Sequence, residues 1–182
     1  MKRLKYDVYS EILNSKDYGT PQLRKRVYIV CIARNTIKKN DSFEYPPPHV
    51  AKGRNIAVIA KCKSNNTTTN VSLTESFRLF LEEHKEELKG QSYINLASAL
   101  RHHTCPSDKT NVGCLTTNCA SLWNIPMNRF ATVDELLMLQ GFDPKKFNQV
   151  VTNRQLAKQI GNSMTITVIE AIYRSIFSYV QF

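Results

Sequence analysis

The chain has 182 residues, of which 42% are hydrophobic and 22% charged, a composition typical of a folded domain and not of a disordered chain. Its net charge is +10, and residues 1–63 contain 14 basic and 5 acidic residues against 11 and 10 in the remainder. This asymmetry predicts a polyanion as partner of the N-terminal part, most simply nucleic acid, with a general basic bias as the alternative. Because the sequence has neither the roughly 20 consecutive apolar residues of a membrane span nor a secretory signal, we expect an intracellular protein with no membrane partner.

The first predicted elements are two extended segments around a turn. Tyr6 begins the first segment, residues 14–21 form the turn, and residues 27–32 are continuous and β-branched, which predicts a buried strand. Gln-x-Arg-x-Arg enters that strand, and strand alternation places its three polar side chains on one face of the chain. An amide and two guanidiniums presented together suit a phosphate and a base edge, although a solvated basic turn is an equal alternative at this point.

The middle of the chain is less regular. Three consecutive prolines, Pro46 to Pro48, predict a rigid extended connection between two lobes. Residues 56–60 predict a further strand, residues 64–70 a loop, and residues 98–126 an irregular region with short strands.

Two capping boxes predict helices. Ser72 and Glu75 are spaced as the first box, and the apolar positions after it predict a helix that stops at Gly90. Thr132 and Glu135 are spaced as the second, which predicts a helix over residues 133–140 ending at Gly141.

The C-terminal segment has the pattern of an amphipathic helix. Its apolar stripe begins at Val168 and runs through Ile172 to Phe177, directly after Gly161-Asn162-Ser163. Ser163 is therefore a candidate N-cap for this helix as well as a candidate ligand contact.

The five cysteines predict free thiols, because no Cys-x-x-Cys pair and no export signal accompany them. One group could supply four zinc ligands: His102, His103, Cys105, Cys114 and Cys119. Their spacing differs from the common zinc patterns, so we expect no metal site.

Three segments, residues 17–28, 129–142 and 159–168, contain Gln-x-Arg-x-Arg, Leu-Gln-Gly-Phe and Gly-Asn-Ser in that order. Together they resemble the last three conserved blocks of the DNA cytosine-5 methyltransferases. The resemblance implies an α/β fold: the C-terminal part of a Rossmann-like S-adenosylmethionine-dependent methyltransferase sheet plus a small, mostly β target-recognition lobe. By this resemblance residues 1–44 are the last strands of the catalytic domain, residues 45–128 the target-recognition region, and residues 129–182 the closing helices.

The resemblance also implies roles for single residues. Arg26 would donate to the O2 edge of an extruded cytosine, a base that must be held by fixed donors, and Arg24 would hold a DNA phosphate. Gln22 would belong to the same DNA-binding element, more as a brace of the turn than as a base contact. Thr116 would contact the DNA backbone, with a core or turn role as the alternative.

The Gly-Asn-Ser segment would line the S-adenosylmethionine pocket through Asn162, Ser163 and Met164. A glycine here allows close backbone approach, and the amide and hydroxyl that follow can bind polar ligand groups.

The chain departs from the family in what it lacks. Its sequence contains no Pro-Cys-Gln nucleophile loop, no Glu-Asn-Val block and no Gly-rich cofactor block. Methyl transfer to C5 requires a thiolate nucleophile, so we expect the chain alone to be inactive. The first interpretation is a split enzyme, with a second polypeptide carrying the catalytic cysteine and sharing S-adenosylmethionine and double-stranded DNA. The alternatives are an inactive remnant and a stand-alone basic DNA-binding module.

Overall fold

The structure is a computed structural model that describes residues 5–38, 42–49, 55–64, 73–105 and 108–181. Short 3-10 turns connect several of its helices and strands. In chain order the elements are β1 (Tyr6–Asn14), β2 (Lys25–Ala33), α1 (Ile56–Ile59), α2 (Glu75–Glu83), β3 (Tyr93–Asn95), α3 (Leu96–His102), β4 (Leu122–Asn124), β5 (Arg129–Phe130), α4 (Val133–Leu139), α5 (Asn153–Asn162) and α6 (Ile166–Tyr179).

A long antiparallel hairpin of β1 and β2 forms one layer of the fold. Its register pairs Tyr6 with Ala33 at one end and Asn14 with Lys25 at the other. One face packs on α6, and the shared core contains Leu13, Tyr28, Val30, Ile32, Val168, Ile172 and Tyr179. Both predicted extended segments and the predicted C-terminal helix are therefore present.

Full burial of the second strand, which the sequence predicts, is wrong for the described part of the chain. Alternate β2 residues face solvent, with Val27 62% and Ile29 66% exposed. The run is apolar on both faces, but α6 covers only one of them.

The remaining elements form two further cores. α1, α4 and α5 pack around Leu122, Leu136 and Ile160 in the larger one. The smaller one lies between α2, α3 and the sheet β3-β4-β5, where Trp123 meets Phe130 edge to face at 5.0 Å. The predicted closing helices of residues 129–182 thus belong to two different cores. α4 and α5 pack with the middle of the chain, whereas α6 packs with the hairpin.

Two predictions for the middle of the chain are wrong. Residues 56–60, predicted as a strand, are the helix α1 and its C-cap Ala60. Asn55 Oδ1 accepts from Ala57 N at 2.8 Å, and Ile56, Ile59 and Ala60 are buried while Val58 is 70% exposed. This i, i+3, i+4 burial is helical. The region 45–128 is also not mostly β, since its described residues form three helices and two strands of only three residues each.

The helix ends follow local chemistry in part. α4 has the predicted capping box, with the side chains of Thr132 and Glu135 each bonded to the other's backbone N–H. α2 begins at Glu75 after Thr74 and ends at Glu83, short of the predicted stop at Gly90. Ser72, the predicted cap, lies outside the described residues. α5 is a helix that was not predicted from the sequence, although Thr152 and Gln155 form a capping box at its start.

Among the described residues, none of the helices combines the length and the apolar character that a bilayer crossing requires.

Candidate functional site

The three sequence segments singled out above meet in one buried hydrogen-bond network. Gln22 is fully buried, and its Nε2 donates to Leu139 O at 2.9 Å and to Gln140 Oε1 at 2.7 Å. Its Oε1 accepts from Leu115 N at 3.2 Å. Gln140 in turn donates to Ser163 O at 2.9 Å. We call the set Gln22, Arg24, Leu115, Gln140 and Ser163 the three-segment network.

Arg24 is the centre of this network and is only 5% exposed. Its Nη1 donates to Leu115 O at 2.5 Å and contacts Cys114 Sγ at 3.3 Å. Its Nη2 donates to Gly161 O at 3.3 Å and Ser163 O at 2.8 Å. The phosphate contact predicted for Arg24 therefore requires nucleic acid to reach a buried side chain already bonded to backbone carbonyls.

The turn before β2 explains why Gln22 and Arg24 point inward. Gly19 has φ 81°, a left-handed conformation that glycine adopts without strain, and it closes the short 3-10 turn after β1. Asn14 Oδ1 accepts from Arg24 N at 3.0 Å, and Ser15 Oγ lies 2.7 Å from Thr165 Oγ1 at the start of α6. These bonds hold the strand entry against the α5–α6 junction.

Arg26, two residues after Arg24 in the chain, is exposed. Its Nη1 donates to Lys25 O at 2.8 Å, and its Nη2 lies 3.1 Å from Cys114 Sγ. It lines an open cavity of about 870 Å³, which we call the Arg26 groove. The lining residues are Ile12, Asn14, Lys16, Asp17, Leu23, Lys25, Arg26 and Cys114. Three basic side chains against one acidic side chain make this groove suited to a polyanion.

The residues predicted to contact the cofactor lie at the α5–α6 junction. Asn162 ends α5, and the side chains of Asn162 and Met164 are exposed, Met164 by 59%. The N-cap alternative for Ser163 is wrong: Ser163 is the C-cap of α5, its Oγ donates to Ile160 O at 2.7 Å, and Thr165 is the N-cap of α6.

Gly161 allows a close approach, but the partner is backbone of the same chain. A Cβ at Gly161 would overlap the carbonyl group of Thr116. The Thr116 side chain itself is exposed beside Cys114. Gly161 therefore lets the segment that carries Thr116 and Cys114 lie directly on the α5–α6 junction.

The sequence assigns no role to Gln140, a member of the site, and it offers Cys114 only as a member of the candidate zinc group. Gln140 is fully buried at the end of α4, directly after the apolar run Leu136 to Leu139. An isolated polar residue in an apolar run was the available signal. The contact of Cys114 with both arginines had no sequence signal, because it joins positions about 90 residues apart.

The arginines also act on a neighbouring tyrosine. Burial raises the pKa of the Tyr28 hydroxyl above its usual value, and the positive charges of Arg24 and Arg26 partly oppose that rise. Tyr28 O in turn accepts from the Tyr45 hydroxyl at 2.8 Å, which fixes the proline-rich segment to the hairpin.

The His/Cys group considered as a zinc candidate does not come together as one ligand set. Cys114 contacts the arginines, and the buried Cys119 donates from Sγ to Ala157 O at 3.0 Å. Cys105 lies instead with His84 and Glu87, their ligand atoms all within 4.8 Å of one another. Burial and a hydrogen bond to Glu87 raise the pKa of the Cys105 thiol to about 11, which favours the protonated thiol.

Comparison with known proteins places this chain in a family. A family model described as C-5 cytosine-specific DNA methylase matches residues 1–178. Among curated proteins, the Type II methyltransferase M.SsoII of Shigella sonnei is 29% identical over 98% of this chain and 46% of its own length. M.HaeII of Haemophilus aegyptius is 29% identical over 98% of this chain and 53% of its own length.

Solved structures are similar in fold. A methyltransferase of Entamoeba histolytica, EhMeth, superposes with a TM-score of 0.59 at 16% identity, covering 96% of this chain and 54% of that protein. DNMT2 of Spodoptera frugiperda gives a TM-score of 0.54 at 15% identity, covering 95% of this chain and 58% of its own. These matches support an α/β methyltransferase fold, and the chain spans about half the length of the relatives it matches.

Proposed function

Because the chain belongs to the C-5 cytosine-specific DNA methylase family, we propose that it is the C-terminal half of a DNA (cytosine-5)-methyltransferase that acts with a second polypeptide. It contributes DNA binding, contacts to a flipped cytosine and part of the S-adenosylmethionine pocket. The second polypeptide carries the catalytic cysteine. Similarity to Type II methyltransferases suggests a role in restriction-modification.

The observation that carries this proposal is the exposed Arg26 beside the three-segment network. The hydrogen bonds of this network join the three segments, whose order along the chain resembles that of the family, into one rigid support. Arg26 projects from this support into the basic Arg26 groove. A base removed from a duplex needs donors that are fixed before it arrives. The Arg26 guanidinium is the donor that we assign to the cytosine O2.

Arg24 and Gln22 act in this proposal through their neighbours. Both are buried, and their hydrogen bonds fix the strand entry from which Arg26 projects. We assign them as positioning residues, with the phosphate role of Arg24 retained as a prediction. Thr116 is exposed beside the groove residue Cys114, which suits the proposed contact with the DNA backbone.

S-adenosylmethionine, which supplies the methyl group when bound, fits the α5–α6 junction in part. Asn162 presents an exposed amide and Met164 an exposed thioether side chain. Ser163 Oγ donates to Ile160 O and can still accept a hydrogen bond. These three residues would hold one side of the cofactor, and the second polypeptide would supply the other side.

The family match does not favour the alternatives of a remnant or a stand-alone DNA-binding module. The family model matches nearly the whole chain, including the α5–α6 junction. A pure DNA-binding protein has no use for that junction.

The test is methyl transfer from labelled S-adenosylmethionine to duplex DNA. The wild-type chain is co-expressed with a fragment of M.SsoII that ends where its match to this chain begins. We expect transfer by the complex and none by the chain alone, since the sequence contains no Pro-Cys-Gln nucleophile.

Arg26→Ala should lower transfer by the complex about 10²–10³-fold, the usual loss when one fixed donor is removed. The control is Arg34→Ala, because Arg34 is 63% exposed and pairs with Asp7 at 2.8 Å, away from the groove. Transfer by the chain alone would refute the need for a partner, and equal activity of both variants would refute the role of Arg26.

A further inference from the structure

The hairpin presents one face that nothing covers in the described part of the chain. Its members form four cross-strand pairs: Tyr6 with Ala33, Val8 with Cys31, Ser10 with Ile29, and Ile12 with Val27. We call these eight residues the open sheet face. None of them is charged, whereas 22% of the whole chain is.

The large apolar members of this face are well exposed. Val8 is 65%, Ile12 64%, Val27 62% and Ile29 66% exposed. Monomeric proteins rarely leave contiguous apolar patches of more than a few hundred Å² in water, and such patches mark interaction sites. The opposite face of the same hairpin is buried under α6.

The sequence of β2 is that of a strand covered on both sides. A strand with one wet face alternates between apolar and polar residues, whereas a strand buried on both faces is a continuous apolar run. Residues 27–33 are such a run. The sequence of β2 therefore predicts that both faces of the strand are covered, and α6 covers one of them.

We infer that the open sheet face is the docking surface for the second polypeptide of the proposed enzyme, the half of the methyltransferase fold that this chain lacks. This inference rests on the proposed function. The bound half would place an apolar layer of its own on Val8, Ile12, Val27 and Ile29 and complete the core on that side of the hairpin.

Two observations favour this occupant. First, the relatives are about twice as long as the matched region, so the fold they share has a further half available as the missing layer. Second, Ile12 belongs to the open sheet face and also lines the Arg26 groove. A polypeptide bound on this face would lie directly beside the groove, where the proposed chemistry requires its nucleophile.

A second copy of this chain is a poorer occupant. The chain carries a net charge of +10, and the basic residues Lys25 and Arg26 lie at the end of the face beside Val27. Two copies joined through this face would bring like charges together, which opposes association.

The test uses the full chain co-expressed with the tagged M.SsoII fragment named above, and measures the dissociation constant of the purified pair. Val8→Glu and Ile29→Glu place a charge on the open sheet face at positions outside the groove lining. Val150→Glu is the control, because Val150 is 84% exposed on the loop before α5. Circular dichroism of each free variant checks folding, which should be unchanged because these side chains face solvent.

We expect the two face variants to bind the fragment at least 10-fold more weakly than wild type, with Val150→Glu unchanged. Equal binding by all four proteins, or no binding by wild type, overturns the inference. The inference is also overturned if the wild-type chain forms a dimer that the fragment does not dissociate and that becomes monomeric with Ile29→Glu. A complex that forms through the face but transfers no methyl group supports the docking surface and refutes the proposed function. If the complex transfers methyl groups but the face variants bind the fragment as tightly as wild type does, the proposed function is supported and the docking surface is refuted.

Discussion

At the scale of single residues, the Gln-x-Arg-x-Arg segment divides into two kinds of side chain. Gln22 and Arg24 are buried and bonded to backbone and side chains of distant segments, whereas Arg26 faces the groove. Strand alternation predicted that the three would share one face, and residue type suggested a common ligand. Burial distinguishes them, because a guanidinium surrounded by carbonyls is a structural cross-link while an exposed one remains available for a ligand.

Gly161→Ala should destabilise the protein by about 1–3 kcal/mol, the usual cost of overpacking a well-packed site. Alanine would favour the helix by about 1 kcal/mol, but its Cβ would overlap backbone of Thr116, which has no flexible end to move away. Chemical denaturation measures the loss.

The matched control is Gly113→Ala, since a Cβ at Gly113 meets no atom within 4 Å. Equal stability of both variants would contradict the close packing of the α5–α6 junction against Thr116.

At the scale of elements, α4 is fixed by local and tertiary bonds together. Glu135 is fully buried, accepts from Thr132 N at 2.7 Å and from Asn124 Nδ2 at 2.8 Å, and pairs with Arg129 at 2.9 Å. The hydrogen bond with Glu135 raises the pKa of Arg129 above its usual value. One carboxylate thus caps α4 and joins it to β4 and β5.

Glu135→Ala should lower the free energy of unfolding by about 3 kcal/mol, because it removes the carboxylate that accepts from the partly buried Arg129, from Thr132 N and from Asn124 Nδ2. Glu170→Ala serves as control: its ion pair with Arg174 at 2.7 Å is exposed and spaced i, i+4, so its loss should cost about 0.5 kcal/mol or less. Urea denaturation of both variants checks the difference, and similar losses would contradict the central position of Glu135.

At the scale of the whole molecule, charge and uncovered apolar surface lie side by side. The basic Arg26 groove borders the open sheet face at Ile12. A polyanion on one side and a protein on the other would therefore meet at one edge of this chain.

The charge distribution predicts a steep salt dependence of DNA binding. If Lys16, Lys25 and Arg26 each neutralise one phosphate, affinity for duplex DNA should fall about 40-fold between about 50 and 200 mM salt. Fluorescence anisotropy of the chain with a labelled duplex measures this slope.

Lys16→Ala should reduce the slope of log affinity against log salt by about 0.9. Lys89→Ala, an exposed lysine 4.0 Å from Glu86 and outside the groove, should leave it unchanged. An affinity that is flat across this salt range would contradict the groove as a polyanion site.

The sequence alone determined the family, the two extended segments of the hairpin, the capped α4 and the amphipathic α6, because each depends on residue order or on a local period. It also identified Arg26 as a candidate, since residue type and neighbours suffice for an exposed side chain.

Tertiary structure decided what depends on contacts between distant segments. α1 is a helix because Ile56, Ile59 and Ala60 are buried among elements more than 30 residues away, against the preference of its β-branched residues. Arg24 is a cross-link because Leu115, Gly161 and Ser163 surround it, and one face of β2 is open because α6 covers only the other. Burial is a property of the folded chain, and neither local propensity nor motif order contains it.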